Sequence, residues 1–195
     1  MSVSVVTKEQ IKESTATTVG GLLEDVPGVQ VVNSGAQGLK RISLRGENPT
    51  RVLILIDGQK IAENKSMDGT PLLVDPAIIE RIEVIKGPAS VLYGSEALGG
   101  VVNIITKKGG TKPIQGQITS SYNGSTKGFD ESLSIYGAYK GFKYRATGFN
   151  TYQHNLSTPD GEAPHSKFKE QSGSAFLSYD FSDKFTLGGS YEQFY

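Results

Sequence analysis

The sequence predicts a small α+β domain followed by antiparallel β-strands of a truncated transmembrane β-barrel, and three observations carry that prediction. Helix caps and short apolar runs mix up to about residue 108, and helical signals then stop. From Ile114 onward apolar and polar residues alternate with period two, in five stretches of about ten residues each, the length a tilted strand needs to cross a bilayer. The connections between those stretches alternate between tight and long, the arrangement of a barrel with short turns on one side and loops on the other.

Composition sets the bounds. The chain has 195 residues with 20 basic and 20 acidic side chains, so no global field draws in nucleic acid or an acidic partner. Its 24 glycines, nine tyrosines and eight phenylalanines favour β-structure with many turns. The absence of cysteine excludes disulfides and thiolate metal sites. No apolar run approaches the roughly 20 residues of a transmembrane helix. The N-terminus shows no charged segment followed by an apolar core, so no signal peptide is read there, and an exported protein would be represented here by a mature or trimmed fragment.

Taken in order, residues 2–6 are β-prone, and Thr7 with Gln10 forms a capping box opening a short helix over 8–13. A second helix is predicted over 18–25, with Val19, Leu22 and Leu23 as its apolar face and Pro27-Gly28 as its stop. Residues 29–33 form a strand, 34–38 a loop, and 41–45 a strand ending at Gly46. Residues 47–50 turn around Pro49. Val52–Ile56 is continuously apolar, as expected of a strand buried on both faces. Asp57-Gly58 signals a type I′ hairpin with a return strand over 59–62. Residues 63–71 are polar and irregular, a binding-loop composition. Asp75 caps a short helix starting at Pro76, which feeds a strand over 81–86. A compact glycine-rich segment, 87–100, leads into a last strand over 101–106.

Beyond Lys107, five strands present apolar faces that include Ile118 on the first, Leu133 and Ile135 on the second, Tyr144 on the third, Leu177 on the fourth and Leu187 on the fifth, each backed by polar residues. Their connections are a medium loop (123–128), a tight turn (Lys140-Gly141), a long polar loop (153–169) and a second tight turn (Ser182-Asp183). The long loop holds both histidines, His154 and His165.

The segments LEDVPGV (23–29), ISLRG (42–46), VLILIDG (52–58), IERIEVIKG (79–87), PASVLYG (88–94) and ALGGVVNIIT (97–106), taken together and in that order, resemble the N-terminal part of TonB-dependent outer-membrane receptors. The resemblance implies a plug domain over 1–109 and the first five strands of an outer-membrane barrel over 110–195. The family's barrel has about 22 strands, so this set is incomplete. It further implies residence in the outer membrane of a Gram-negative bacterium, contact with its lipid, and TonB as energising partner, although no segment here matches the box that TonB grips. The implied ligand is an iron complex, haem or a ferric siderophore, with vitamin B12 as a lesser option. A non-transporting module that binds a ligand or a surface partner is the alternative.

The resemblance also assigns site residues. The loops 34–40 and 63–72 match the plug's outward apex, with Ser34, Gln37, Lys65, Met67 and Asp68 as ligand contacts. A cation there suits an anionic ferric siderophore, and a methionine suits an apolar face such as haem. Arg45 and Arg81 match plug arginines that pair with glutamates of the barrel wall. His154 and His165 read as exposed residues of an extracellular loop, with haem ligation as the other reading. No Gly-Lys-Ser/Thr follows Gly94, Gly99 and Gly100, so these glycines serve turns rather than phosphate. No acid/base pair or nucleophilic set has local support. The chain is therefore not expected to be an enzyme, to hold a resident cofactor or metal, or to bind nucleic acid.

Overall fold

The computed structural model describes residues 2–14, 16, 18–33, 40–60, 74–87, 93–94 and 97–194, and the chain divides between Thr106 and Lys107 into two units. The first unit runs β1 (Ser2–Val6), α1 (Lys8–Glu13), α2 (Val19–Leu23), β2 (Val29–Asn33), β3 (Lys40–Leu44), β4 (Val52–Ile56), β5 (Gln59–Lys60), β6 (Ile79–Lys86) and β7 (Gly100–Thr106), with 3-10 turns at Pro49–Arg51 and Pro76–Ile78.

Local chemistry places most of these elements. The predicted capping box is present: the Thr7 hydroxyl accepts from the Gln10 amide at 3.4 Å, and the Gln10 side chain accepts from the Thr7 amide at 2.9 Å. α1 fully buries none of its residues; besides this cap it is held by Ile11, half-buried against the main core, and by Lys8 paired with Glu80 at 3.0 Å. Thr7→Ala is expected to destabilise α1 by about 1 kcal/mol, read as faster hydrogen exchange at the Gln10 and Ile11 amides. The second helix opens at Thr18 as predicted, but closes at Leu23, two residues early, because the chain is already turning toward Pro27. The helix predicted at Pro76 is a single 3-10 turn: Asp75 caps it by accepting from the Ala77 amide at 2.8 Å, and Ile79 already belongs to β6. Asp57 and Gly58 both have positive φ, 50° and 80°, as a type I′ turn requires. Their return strand is Gln59–Lys60; residues 61–62 of the predicted strand lie outside the described residues.

The main sheet of this unit has the order β1-β6-β7-β4-β5, with β4 and β7 parallel and the other pairs antiparallel. β2 and β3 form a separate hairpin. The apolar run of β4 is buried on both faces, as expected. Val52 and Ile54 join a core with α2, β2, β3, Ile82, Val84, Val102 and Ile104, while Leu53 and Leu55 join a second cluster with Ala97 and Val101. The alternation of one strand thus serves two cores.

The second unit is an antiparallel sheet in the order β14-β13-β10-β9-β8: β8 (Gln115–Asn123), β9 (Gly128–Tyr139), β10 (Phe142–Gln153), β13 (Phe168–Ser182) and β14 (Phe185–Phe194). Two short strands, β11 (Ser157–Thr158) and β12 (Gly161–Glu162), pair within the long loop. β9 has 12 residues, as the alternation implies, while β10 with 12 and β13 with 15 run longer than their apolar alternation because their shared ladder continues through polar residues. The apolar face is the exposed one, with Ile118 at 80% and Leu187 at 62%, while the polar face includes Ser134 at 0% and Arg145 at 2%. The Arg145 guanidinium donates to the Lys107 carbonyl at 2.5 Å and lies 6.0 Å from the Phe176 ring centre.

Candidate functional site

Three places in the chain answer to the sequence-derived sites. The apex residues Ser34, Gln37, Lys65, Met67 and Asp68 lie outside the described residues. The two arginines of the first unit are described, and they stand apart. Arg45 follows β3 at φ 54°, its amide held by the Gly28 carbonyl at 2.8 Å and its guanidinium donating to the Ser2 hydroxyl at 3.1 Å. Ser2 pairs with Lys86, so Arg45 sits beside the C-terminal end of β6. Arg81 sits near the opposite end of the same strand, donating to Glu83 at 2.8 Å; Glu83 also accepts from the Asn103 amide at 3.2 Å. Both arginines are exposed within the unit. An exposed ion pair such as Arg81–Glu83 contributes little stability.

The third place is the end of the second unit where 124–127 joins β8 to β9 and 154–167 joins β10 to β13. His154 opens the long loop, its ring edge-on to Tyr152 at 4.8 Å, and His165 stands near its end at φ 60°. Both are exposed. The loop is folded rather than loose. Besides β11 and β12, the Ser166 hydroxyl bridges the Leu156 amide and the Ala163 carbonyl at 2.8 and 2.7 Å. Among the described residues no cluster of three or more His, Cys, Asp or Glu side chains could hold a metal.

Beneath these loops, on the polar face, lies a group that the sequence reading did not single out. The Asp130 carboxylate accepts from the Gln153 amide at 2.8 Å, from the Thr151 hydroxyl and from the Ser121 hydroxyl at 3.3 Å. The Gln153 carbonyl in turn accepts from Thr126. A signal existed for part of this. The two-residue turn at Lys140 and Gly141 pairs Tyr139 with Phe142, and counting outward from there pairs Asp130 with Thr151.

The apolar face carries aromatic rows at both ends. Near the tight turns, Phe142 packs tilted against Tyr179 at 4.5 Å, Tyr179 meets Phe181 edge-on at 4.8 Å, and Phe181 packs tilted against Phe185 at 5.5 Å. Near the loops, Tyr122 meets Phe129 at 5.0 Å. From Phe129 to Tyr139 along β9, at ~3.4 Å per residue and a tilt of ~40°, the apolar band is about 26 Å tall. That height matches a barrel's lipid-facing band of about 25 Å between aromatic girdles.

Comparison with known proteins agrees with this architecture. Residues 1–101 match the family described as TonB-dependent Receptor Plug Domain. The chain is 34% identical over 194 residues to the vitamin B12 transporter BtuB of Vibrio vulnificus, an alignment covering 97% of this chain and 31% of that protein. Its fold superposes on the siderophore receptor PirA of Pseudomonas aeruginosa with a TM-score of 0.74 at 26% identity, over 98% of this chain and 35% of that one. It also superposes on the FrpB iron transporter of Neisseria meningitidis with a TM-score of 0.79 at 22% identity, over 98% of this chain and 32% of that one, a likeness of fold alone. The chain spans about a third of the length of each of these relatives.

Proposed function

Because the chain belongs to the TonB-dependent receptor plug family, we propose that it forms the plug and first barrel strands of a receptor that imports a bulky metal complex across the outer membrane of a Gram-negative bacterium. The first ligand class is an iron complex, a ferric siderophore or haem, as in relatives named as siderophore receptors. Vitamin B12 is the second reading, favoured by the 34% identity to a protein named as its transporter. The observation that carries the import reading is the pairing of two unlike units in one chain. One is a two-core α+β domain, and the other is a sheet whose apolar face is exposed and whose polar face holds buried side chains. An exposed apolar face of this height suits lipid and not water.

In this reading residues 1–109 are the plug and 110–195 begin the barrel wall. Ser34, Gln37, Lys65, Met67 and Asp68 contact ligand at the plug's outer apex. Arg45 and Arg81 exchange their local partners for glutamates of the wall, where ion pairs between plug and wall fix register more than they add stability. His154 and His165 stand in an extracellular loop. TonB supplies the pull that displaces the plug. No step of this scheme is catalytic, and none needs a resident cofactor.

The test is uptake by the full-length protein in a host lacking its own receptors, with ferric enterobactin, hemin and cyanocobalamin as labelled probes, in the presence and absence of TonB. Accumulation of one probe that vanishes without TonB is expected. Binding without TonB-dependent accumulation would instead support a module that captures ligand without transporting it.

A further inference from the structure

We propose that Asp130 is a positioning residue that latches the roots of the first two outward loops, 124–127 and 154–167, into one body. The proposal rests on the reading of those loops as outward-facing. The backbone ladders end at Asn123 paired with Gly128 and at Gln153 paired with Phe168. Beyond them the two loops are joined by their own backbone: the His154 amide donates to the Thr126 carbonyl at 3.1 Å, and the Ser157 amide to the Ser125 carbonyl at 2.8 Å. Side chains hold the short loop in place for those bonds. The Gln153 side chain is the bridge, its amide donating to Asp130 and its carbonyl accepting from the Thr126 hydroxyl. Thr126, Thr151 and Gln153 are at most 3% exposed. Water therefore cannot readily substitute for a broken link.

The chemistry of the centre requires an acceptor. Thr151, Gln153 and Ser121 all donate to the side chain at 130, and they come from β10 on one side of β9 and β8 on the other. A carboxylate takes all three without presenting a hydrogen to any. Asparagine keeps one oxygen for Thr151 and Gln153 and can donate to Ser121, whose hydroxyl is free to turn. Alanine takes none. Gly128 seals the site, since a side chain there would collide with the Gln153 carboxamide and lie 2.5 Å from the Tyr152 carbonyl. With the latch closed, the 14-residue connection between β10 and β13 begins from a fixed root instead of from a frayed strand end.

Hydrogen exchange on the full-length protein in detergent, with no ligand added, tests this. In Asp130→Ala and in Thr126→Val the amides of His154 and Ser157 are expected to exchange about tenfold faster, with the lower halves of β9 and β10 unchanged. Asp130→Asn is expected to keep wild-type rates. Wild-type exchange at both amides in both variants overturns the latch. So does acceleration spread evenly along β9 and β10, which would make Asp130 a general support of the sheet. If Asp130→Ala does not assemble, Thr126→Val decides, because it leaves the carboxylate and its other bonds in place. Uptake does not enter this readout, so a failed latch and a failed import reading remain separate results.

Discussion

Arginine in place of Leu133 is expected to stop the full-length protein from assembling in an outer membrane. Leu133 lies near the middle of β9, between Phe129 and Tyr139, opposite Ile118 on one side and Gly148 on the other. It is 49% exposed although both neighbouring strands are present. A guanidinium at that depth would cost about 2–4 kcal/mol in a bilayer, and the small Gly148 beside it offers no partner. Leu177→Arg is expected to do less harm, about 1 kcal/mol, because Leu177 pairs with Tyr144, one residue pair from the aromatic row and close to the interface. Heat-modifiable electrophoretic mobility of outer-membrane fractions reads both. If the two variants assemble as well as the wild type, the exposed apolar face does not meet lipid.

Gly100→Ala is expected to cost the first unit about 2–5 kcal/mol, from backbone strain and overpacking together. Gly100 opens β7 at φ 141°, a conformation other residues rarely adopt. A Cβ there would overlap the Ile85 carbonyl and approach the Leu44 side chain to 2.6 Å. Both obstacles are fixed: Ile85 is in the β6–β7 ladder, and Leu44 is fully buried in the main core. Gly58→Ala is the control. Gly58 also has positive φ, 80°, but no atom lies within 4 Å of its would-be Cβ, so strain alone acts and about 1 kcal/mol is expected. Urea sensitivity of the first unit, followed by limited proteolysis, should separate the two substitutions widely. Equal behaviour would mean that β6 and Leu44 yield to the added methyl.

Much of this fold was legible because its signals are local. The Thr7 box, the Asp75 cap and the Asp57-Gly58 turn each work through neighbours within a few residues, and each appears where the sequence puts it. The two-faced burial of β4 was legible from an apolar run too continuous for a half-exposed strand. Its parallel pairing with β7 was not, since nothing in either segment names a partner some 48 residues away. The length of β13 was hidden for another reason: its outer end pairs through Phe168 and Lys169, which fell within the polar stretch read as the long loop. At the candidate site the histidines fell in a loop as expected. The Asp130 group went unseen because its members are ordinary polar residues on the polar face of a strand, and only register brings them together.

The place of β7 in the first sheet has a consequence for the timing of folding. β6 and β4 share no ladder; each is joined to β7, which is the last strand of its unit to leave the ribosome. Until Thr106 is available, β1 with β6 and β4 with β5 are separate two-stranded pieces, below the three strands that independent stability requires. The unit therefore cannot ratchet into shape as it is synthesised. The sheet is expected to close in one late step, through the long-range pairing of β7.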